Sequence, residues 1–184
     1  LSPIDPPEIR GFIKEFYPSV AWDRYAKGFW QIMMTEGPPM RTARWCCELI
    51  KEAGGIGRVK LLGMRRAEST TRHCYREFQS QHNYENTWWC LPIVSWDDDE
   101  VWEYIKIHSL QTCSLYQEGY NRLGCVLCPF EGAKTTAKNI IRFPKIANCW
   151  KRGLERYYQI RIERGTPLPW NSAEAFWEWW ISRG

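Results

Sequence analysis

The sequence predicts a mixed α/β protein, and three observations carry that expectation. Apolar residues recur at three- and four-residue spacing near both ends of the chain, the pattern of amphipathic helices. Between them a short apolar run, Arg58-Val59-Lys60-Leu61-Leu62, follows a glycine cluster and reads as a buried strand. A second extended stretch, Thr87 to Val94, leads into a further helical pattern. With 184 residues, 44% of them hydrophobic and 15% aromatic, the chain can bury a core, which excludes a disordered or fibrous protein.

Taken in order, Leu1 to Pro7 is a proline-rich lead-in, and Glu8 to Tyr17 and Trp22 to Met34 have helical spacing. Gly37-Pro38-Pro39 ends that pair. A third helix is expected over Thr42 to Ala53, where Ala43, Cys46, Cys47 and Ile50 fall at i, i+3, i+4 and i+7, placing both cysteines near one face. Gly54, Gly55 and Gly57 then terminate it. They are in the wrong order for a phosphate loop, which follows a strand and opens a helix. Ser95-Trp96-Asp97-Asp98 has capping-box spacing and opens a helix over Asp97 to Ile107, whose acidic start complements the helix dipole. Beyond a loop through Gly124, helices are expected over Ile140 to Arg164 and Ser172 to Ser182. In the last, Ala173, Phe176, Trp177, Trp180 and Ile181 form a packing stripe.

The net charge of +4, from 25 basic and 21 acidic residues, permits an anionic ligand without demanding one. No apolar run reaches the ~18 residues of a membrane span, and the start lacks secretory grammar, so a cytoplasmic protein with no membrane partner is expected. In that compartment eight cysteines point to metal binding or chemistry rather than to disulfides.

Cys125-Val126-Leu127-Cys128 is a C-x-x-C, and Cys46-Cys47 is the only adjacent pair. Cys74, Cys90, Cys113 and Cys149 are isolated. Four thiolates suit zinc or an iron–sulfur cluster, the alternative being two buried cysteines beside an unrelated C-x-x-C. Adjacency favours a cluster, because a single zinc ion takes ligands from tetrahedral directions and usually spaces them two to four residues apart.

Several landmarks come in one order: Arg44-Trp45-Cys46-Cys47 with Lys51; Gly63-Met64-Arg65-Arg66-Ala67-Glu68-Ser69 with Arg72; Pro92-Ile93; Trp96 with Asp99-Glu100-Val101-Trp102; then Leu115-Tyr116, Gly119-Tyr120 and Arg122 to Pro129. Over roughly residues 38 to 150 they resemble the phosphoadenosine phosphosulfate reductase family. The resemblance implies a partial Rossmann-like sheet of the adenine-nucleotide alpha-hydrolase kind, with flanking helices. It also implies a [4Fe–4S] cluster, with zinc as the alternative, on Cys46, Cys47, Cys125 and Cys128. Residues 1–130 would form the partial α/β domain bearing that site, and 131–184 a helical carboxy-terminal extension.

The same resemblance makes Lys60, Arg65, Arg66, Glu68, Ser69 and Arg72 the candidate anion site. Arginines at the carboxyl end of a strand offer forked donors to phosphate or sulfate. Their alternative is a solvated turn paired with Glu68.

Two departures limit the likeness. The sequence holds no Ser-Gly-Gly-x-Asp-Ser phosphate loop (PP-loop), so an adenine nucleotide is expected only if a missing amino-terminal segment or a partner chain supplies one. Nor does Ala147-Asn148-Cys149-Trp150 match the Glu-Cys-Gly motif of the reductases, which leaves the catalytic residues unassigned and moves the expectation toward sulfur activation or transfer. The branch resembling DNA-phosphorothioation enzymes fits that, with an adenylated or phosphosulfate small molecule as substrate and a nucleic acid as a candidate sulfur acceptor. Alternatives are the phosphosulfate reductase reaction itself, a non-catalytic four-cysteine module, and a nucleic-acid binder drawing on the twelve tryptophans.

Overall fold

The computed structural model describes residues 2–22, 27–81 and 84–182, and within them the chain is a mixed α/β protein. Its helices are α1 (Pro7–Phe16), α2 (Phe29–Glu36), α3 (Asp98–Ile107), α4 (Ala133–Arg142), α5 (Pro144–Glu163) and α6 (Ala173–Ser182). Its strands are β1 (Val59–Leu61), β2 (Phe78–Ser80) and β3 (Trp88–Cys90). By its contacts the chain divides into two compact units, Leu1–Glu52 with Cys113–Gly184, and Ala53–Thr112. The helical stretch beyond residue 130 belongs to the first.

In the first unit one aromatic-rich core is built by α2, α5 and α6, where Met33, Trp150, Leu154, Phe176 and Trp180 are buried. The expected stripe on α6 packs as such: Phe176, Trp177 and Trp180 are buried, with Ala173 and Ile181 partly covered beside them. Ser172 starts that helix, its Oγ accepting the Ala175 N–H at 3.0 Å. The single helix expected over Ile140 to Arg164 is two helices instead. Pro144 lacks an N–H and restricts the residue before it, so α4 stops at Arg142 and α5 restarts with the proline in its first turn. The proline-rich lead-in is part of this core, since Ile4, Asp5 and Pro6 are buried.

The helix expected over Trp22 to Met34 is α2, beginning at Phe29; residues 23–26 lie outside the described residues. It ends at Gly37, with φ +82 and ψ 174, a conformation open to glycine and little else. A Cβ there would also meet the Tyr157 hydroxyl at 2.9 Å.

The second unit holds a sheet of order β1-β3-β2, with β1 parallel and β2 antiparallel to β3. β2 escaped the sequence reading, because Phe78-Gln79-Ser80 is too short and polar to alternate. Gly55 and Gly57, at φ +72 and +75, turn the chain out of a helical segment into β1, as expected of terminating glycines. The strand is not buried as expected: Val59 and Leu61 are exposed, as are Phe78 and Trp88, whose rings stack at 5.1 Å. Helix α3 is capped two residues later than the sequence spacing suggested. Asp97 accepts the Glu100 N–H, and the Glu100 carboxylate accepts the Asp97 N–H, both at 2.8 Å. Asp97 wins over Ser95 because its carboxylate also meets the positive end of the helix. Among the described residues no helix is long and apolar enough to cross a membrane.

The two glycine environments give a paired expectation. Gly37→Ala should lower the unfolding free energy by ~2–3 kcal/mol through strain and the Tyr157 clash. Gly11→Ala, within α1 and with open space around it, should be neutral or stabilising by up to ~1 kcal/mol. Denaturant titration of the two variants checks this, and equal effects would contradict it.

Candidate metal centre

The first pair of cysteines is set by Trp45. Its indole N–H donates to the Gly37 carbonyl at 3.0 Å, and its ring packs 5.1 Å from Phe29 in the core. The helix that begins at Trp45 and Cys46 widens at once into a π-helical segment, Cys47–Glu52, in place of the regular helix expected over Thr42 to Ala53. The Arg44 carbonyl takes both the Cys47 N–H at 2.9 Å and the Glu48 N–H at 3.2 Å, so the first turn is shared between two registers. Such widened turns occur often at functional sites.

The second pair lies in a loop held by its backbone. The Val126 N–H donates to the Ile4 carbonyl at 2.8 Å, and the Val126 carbonyl accepts the Trp150 indole N–H at 2.9 Å. Leu127, between the two cysteines, has φ +58, and its N–H donates to the Glu131 carboxylate at 3.1 Å. The Glu131 N–H returns to the Cys128 carbonyl at 2.9 Å, and Arg41 Nε donates to the Pro129 carbonyl at 2.8 Å. The loop therefore presents its two thiols from a fixed frame.

Two cations serve these sulfurs. Lys51 Nζ donates to Cys125 Sγ at 2.7 Å and stands 3.5 Å from Asp5. Arg44 donates to Cys47 Sγ at 3.4 Å while its guanidinium lies 4.8 Å over the Phe130 ring. Cys47 is held near 5 by the hydrogen bond from Cys46, opposed by burial and helped by Arg44 and Lys51. The same bond, then burial and the charges of Cys47, Cys125 and Cys128, raise Cys46 well above the usual thiol range. The adjacent pair thus gives up one proton easily and the other reluctantly. Burial raises Cys125 to about 12 against the pull of Lys51, and burial also raises Cys128. Lys51 itself, though lowered by burial, is raised overall by Cys125, Asp5 and Cys47. Burial pushes Glu131 up to about 7 against its hydrogen bonds from Asn139, Leu127 and Thr136.

The four thiols of the candidate set are thus within electrostatic reach of one another inside one unit. Among the described residues no three His, Cys, Asp or Glu side chains converge closely enough to hold a single ion. The donor set is four thiols with a cation donating to each pair; Cys47 alone is favoured as the thiolate, while Cys46, Cys125 and Cys128 are held as thiols. The other four cysteines stand apart: Cys74 and Cys149 are exposed, Cys90 lies on β3, and Cys113 is buried in the core. All eight are free of disulfides.

The anion candidates lie in the second unit, Lys60 within β1 and the others on the segment after it. Arg65 reaches Asp98 at 2.5 Å and Glu68 at 3.6 Å; Arg72 also contacts Glu68, and Arg66 donates to the Tyr75 carbonyl at 2.9 Å. Ser69 Oγ lies 3.0 Å from Thr71 Oγ1, and the Lys60 ammonium 5.4 Å from the centre of the Tyr84 ring. Among the buried side-chain atoms of this segment, Nη1 of Arg65 has no hydrogen-bond partner among the described residues.

Sequence reasoning named Arg44 and Lys51 as landmarks but not as site residues, and it missed Asp5 and Glu131. Lys51 was within reach of the pattern, since it falls four residues after Cys47, one helical turn on. Nothing local marks Asp5 or Glu131, whose partners are brought by the fold.

Residues 11–131 match the model of the phosphoadenosine phosphosulfate reductase domain, and the chain belongs to that family. An uncharacterized protein of Methanocaldococcus jannaschii is 29% identical over 162 residues, covering 83% of this chain and 37% of that protein. An adenosine 5'-phosphosulfate reductase of Staphylococcus haemolyticus is 31% identical over 88 residues, 45% of this chain and 36% of that protein. One from Bacillus cereus is 26% identical over 121 residues, 63% of this chain and 49% of that protein. The chain thus spans between about a third and a half of the length of these curated relatives.

The charges around Cys47 give a direct expectation. Alkylation of the Cys47 peptide, followed by mass spectrometry, should rise with pH through a midpoint near 5 and be level by neutral pH, because the thiolate is the nucleophile. Arg44→Ala should move that midpoint upward. A wild-type midpoint at the ordinary thiol value of 9.0 would contradict the arrangement.

Proposed function

We propose that this chain is the cluster-bearing part of a cytoplasmic enzyme of adenylyl-dependent sulfur metabolism that activates or transfers sulfur, with Cys46, Cys47, Cys125 and Cys128 holding a [4Fe–4S] cluster. The observation that carries the reading is the Lys51–Cys125 contact at 2.7 Å, with Arg44 on Cys47: a positive donor meets each cysteine pair. Buried structural cysteines have no use for such donors, whereas thiolate ligands do. The adjacent pair favours a cluster over zinc. When bound, such a cluster supplies a local field and a place for sulfur. Lys51 and Arg44 would balance the charge of the ligating thiolates.

The substrate fitting this reading is an adenylated or phosphosulfate small molecule. Arg65, Arg66 and Arg72 would meet its anionic group, with Ser69 between them and Lys60 on β1, and the buried Nη1 of Arg65 is a donor without a protein partner among the described residues. Glu68 and Asp98 pair with Arg65, and Glu68 also with Arg72, so an anion bound by those two arginines must exchange with the carboxylates. The nucleotide's phosphates would be cradled by a PP-loop from another segment or chain, and the exposed Val59, Leu61, Phe78 and Trp88 are apolar surface such a partner could cover. A nucleic acid remains the candidate acceptor of sulfur, in the manner of the phosphorothioation branch. A second reading, reduction of a phosphosulfate, is favoured by the relatives named adenosine 5'-phosphosulfate reductase. Cys149, an exposed thiol within α5, lies outside any Glu-Cys-Gly motif and is not assigned a part in it.

Anaerobic reconstitution with iron and sulfide tests the assignment. The wild-type chain should take up about four irons and as many sulfides, and the Cys46→Ala/Cys125→Ala variant almost none. Near-equal iron in the two proteins would sink the assignment, and uptake of one zinc in preference to iron would favour a structural module. Binding at pH 7 should also release about three protons per site, since Cys46, Cys125 and Cys128 enter protonated and Cys47 as thiolate. Affinity should therefore rise with pH.

A further inference from the structure

Leu127 occupies a left-handed backbone conformation, φ +58, that β-carbon sterics disfavour for leucine, and it does so between two of the candidate ligands. Its side chain is 2% exposed and belongs to the core, which explains why the position is not glycine. A leucine held there needs something to fix its backbone.

Glu131 does this from two directions. One carboxylate oxygen accepts the Leu127 N–H at 3.1 Å and the Thr136 hydroxyl at 3.3 Å, and the other accepts from Asn139 Nδ2 at 2.5 Å. The Glu131 N–H holds the Cys128 carbonyl at 2.9 Å. Thr136 and Asn139, three residues apart on α4, face the same way and are both buried. Asn139 Oδ1 in turn accepts the Tyr120 hydroxyl at 2.8 Å. The carboxylate is thus fixed by α4 and by Tyr120 and can act on the loop as a rigid clamp.

We propose that Glu131 is a positioning residue for the four-cysteine centre: by clamping Leu127 in its left-handed turn it sets the directions in which Cys125 and Cys128 present their sulfurs. This rests on the reading of those cysteines as metal ligands. Glu131 touches neither metal nor substrate and works only through the loop backbone. The Glu131–Thr136–Asn139–Tyr120 network therefore links α4 to the ligand geometry.

The test uses the reconstituted full chain and reads the chelator concentration that removes half of its iron, with circular dichroism recording the fold. Glu131→Ala should lower that concentration about tenfold, since losing the clamp releases a conformation that costs that order of equilibrium constant. Glu131→Gln keeps an acceptor oxygen for the Leu127 N–H and should stay near wild type. The deciding variant is Glu131→Ala/Leu127→Gly: glycine adopts φ > 0 without help, so iron retention should return toward wild type. Its thermal stability should meanwhile fall further, for want of the buried leucine. Rescue of iron against a falling melting temperature separates positioning from general support of the fold. If the double variant holds iron no better than Glu131→Ala, or if Glu131→Ala holds it like wild type, the proposal is wrong. A wild-type chain that takes up no iron overturns the metal-ligand reading itself, a result distinct from either of these.

Discussion

Phe29 stands between two tryptophans, 5.1 Å from the ring of Trp45 and 5.4 Å from that of Trp150, and the rest of the first unit depends on that aromatic bridge. Each tryptophan is buried and spends its indole N–H on a backbone carbonyl: Trp45 on Gly37 beside the first cysteine pair, Trp150 on Val126 inside the second. Losing either bond would leave a buried carbonyl unpaired, at a cost of about 1–3 kcal/mol. The bridge therefore ties the packing of α2 and α5 to the backbone of both cysteine-bearing segments. Lys51 and Cys125, 74 residues apart in sequence, meet at 2.7 Å across them.

Both cysteine segments depart from regular structure. The first is a π-helical widening after Cys46, and the second a loop that takes a leucine through the left-handed region. Irregular backbone is costly and persists only where its surroundings fix it. Here the Arg44 carbonyl, the Trp150 indole, the Glu131 carboxylate and the Ile4 carbonyl do the fixing. Both departures fall at the cysteines, where presenting thiols matters more than continuing a helix.

Much of this was legible in the sequence. The apolar stripe of α6, the terminating glycines before β1 and the adjacent cysteines with a distant C-x-x-C follow from spacing alone, because each is a local rule. The ordered landmarks from Arg44 to Pro129 led to the family to which the chain belongs. What was not legible is non-local. Pro144 divides a stretch whose apolar period is continuous, and Asp97 displaced Ser95 as the cap of α3. Glu131 reads as an ordinary surface acid until α4 folds over it. The strand at Val59 reads as buried from composition, yet its apolar side chains remain uncovered.

The two units carry different chemistry. The first gathers thiols beside Lys51 and Arg44, and the second gathers arginines, of which Arg65 pairs with Glu68 and Asp98 and Arg72 with Glu68. The central claim concerns the thiols, and metal K-edge X-ray absorption on the anaerobically purified chain tests it most directly. The account predicts iron with a first shell of sulfur alone and a metal–metal scattering path beyond it. A sulfur shell around zinc with no metal–metal path would contradict the cluster, and a shell of nitrogen or oxygen would contradict the four cysteines themselves.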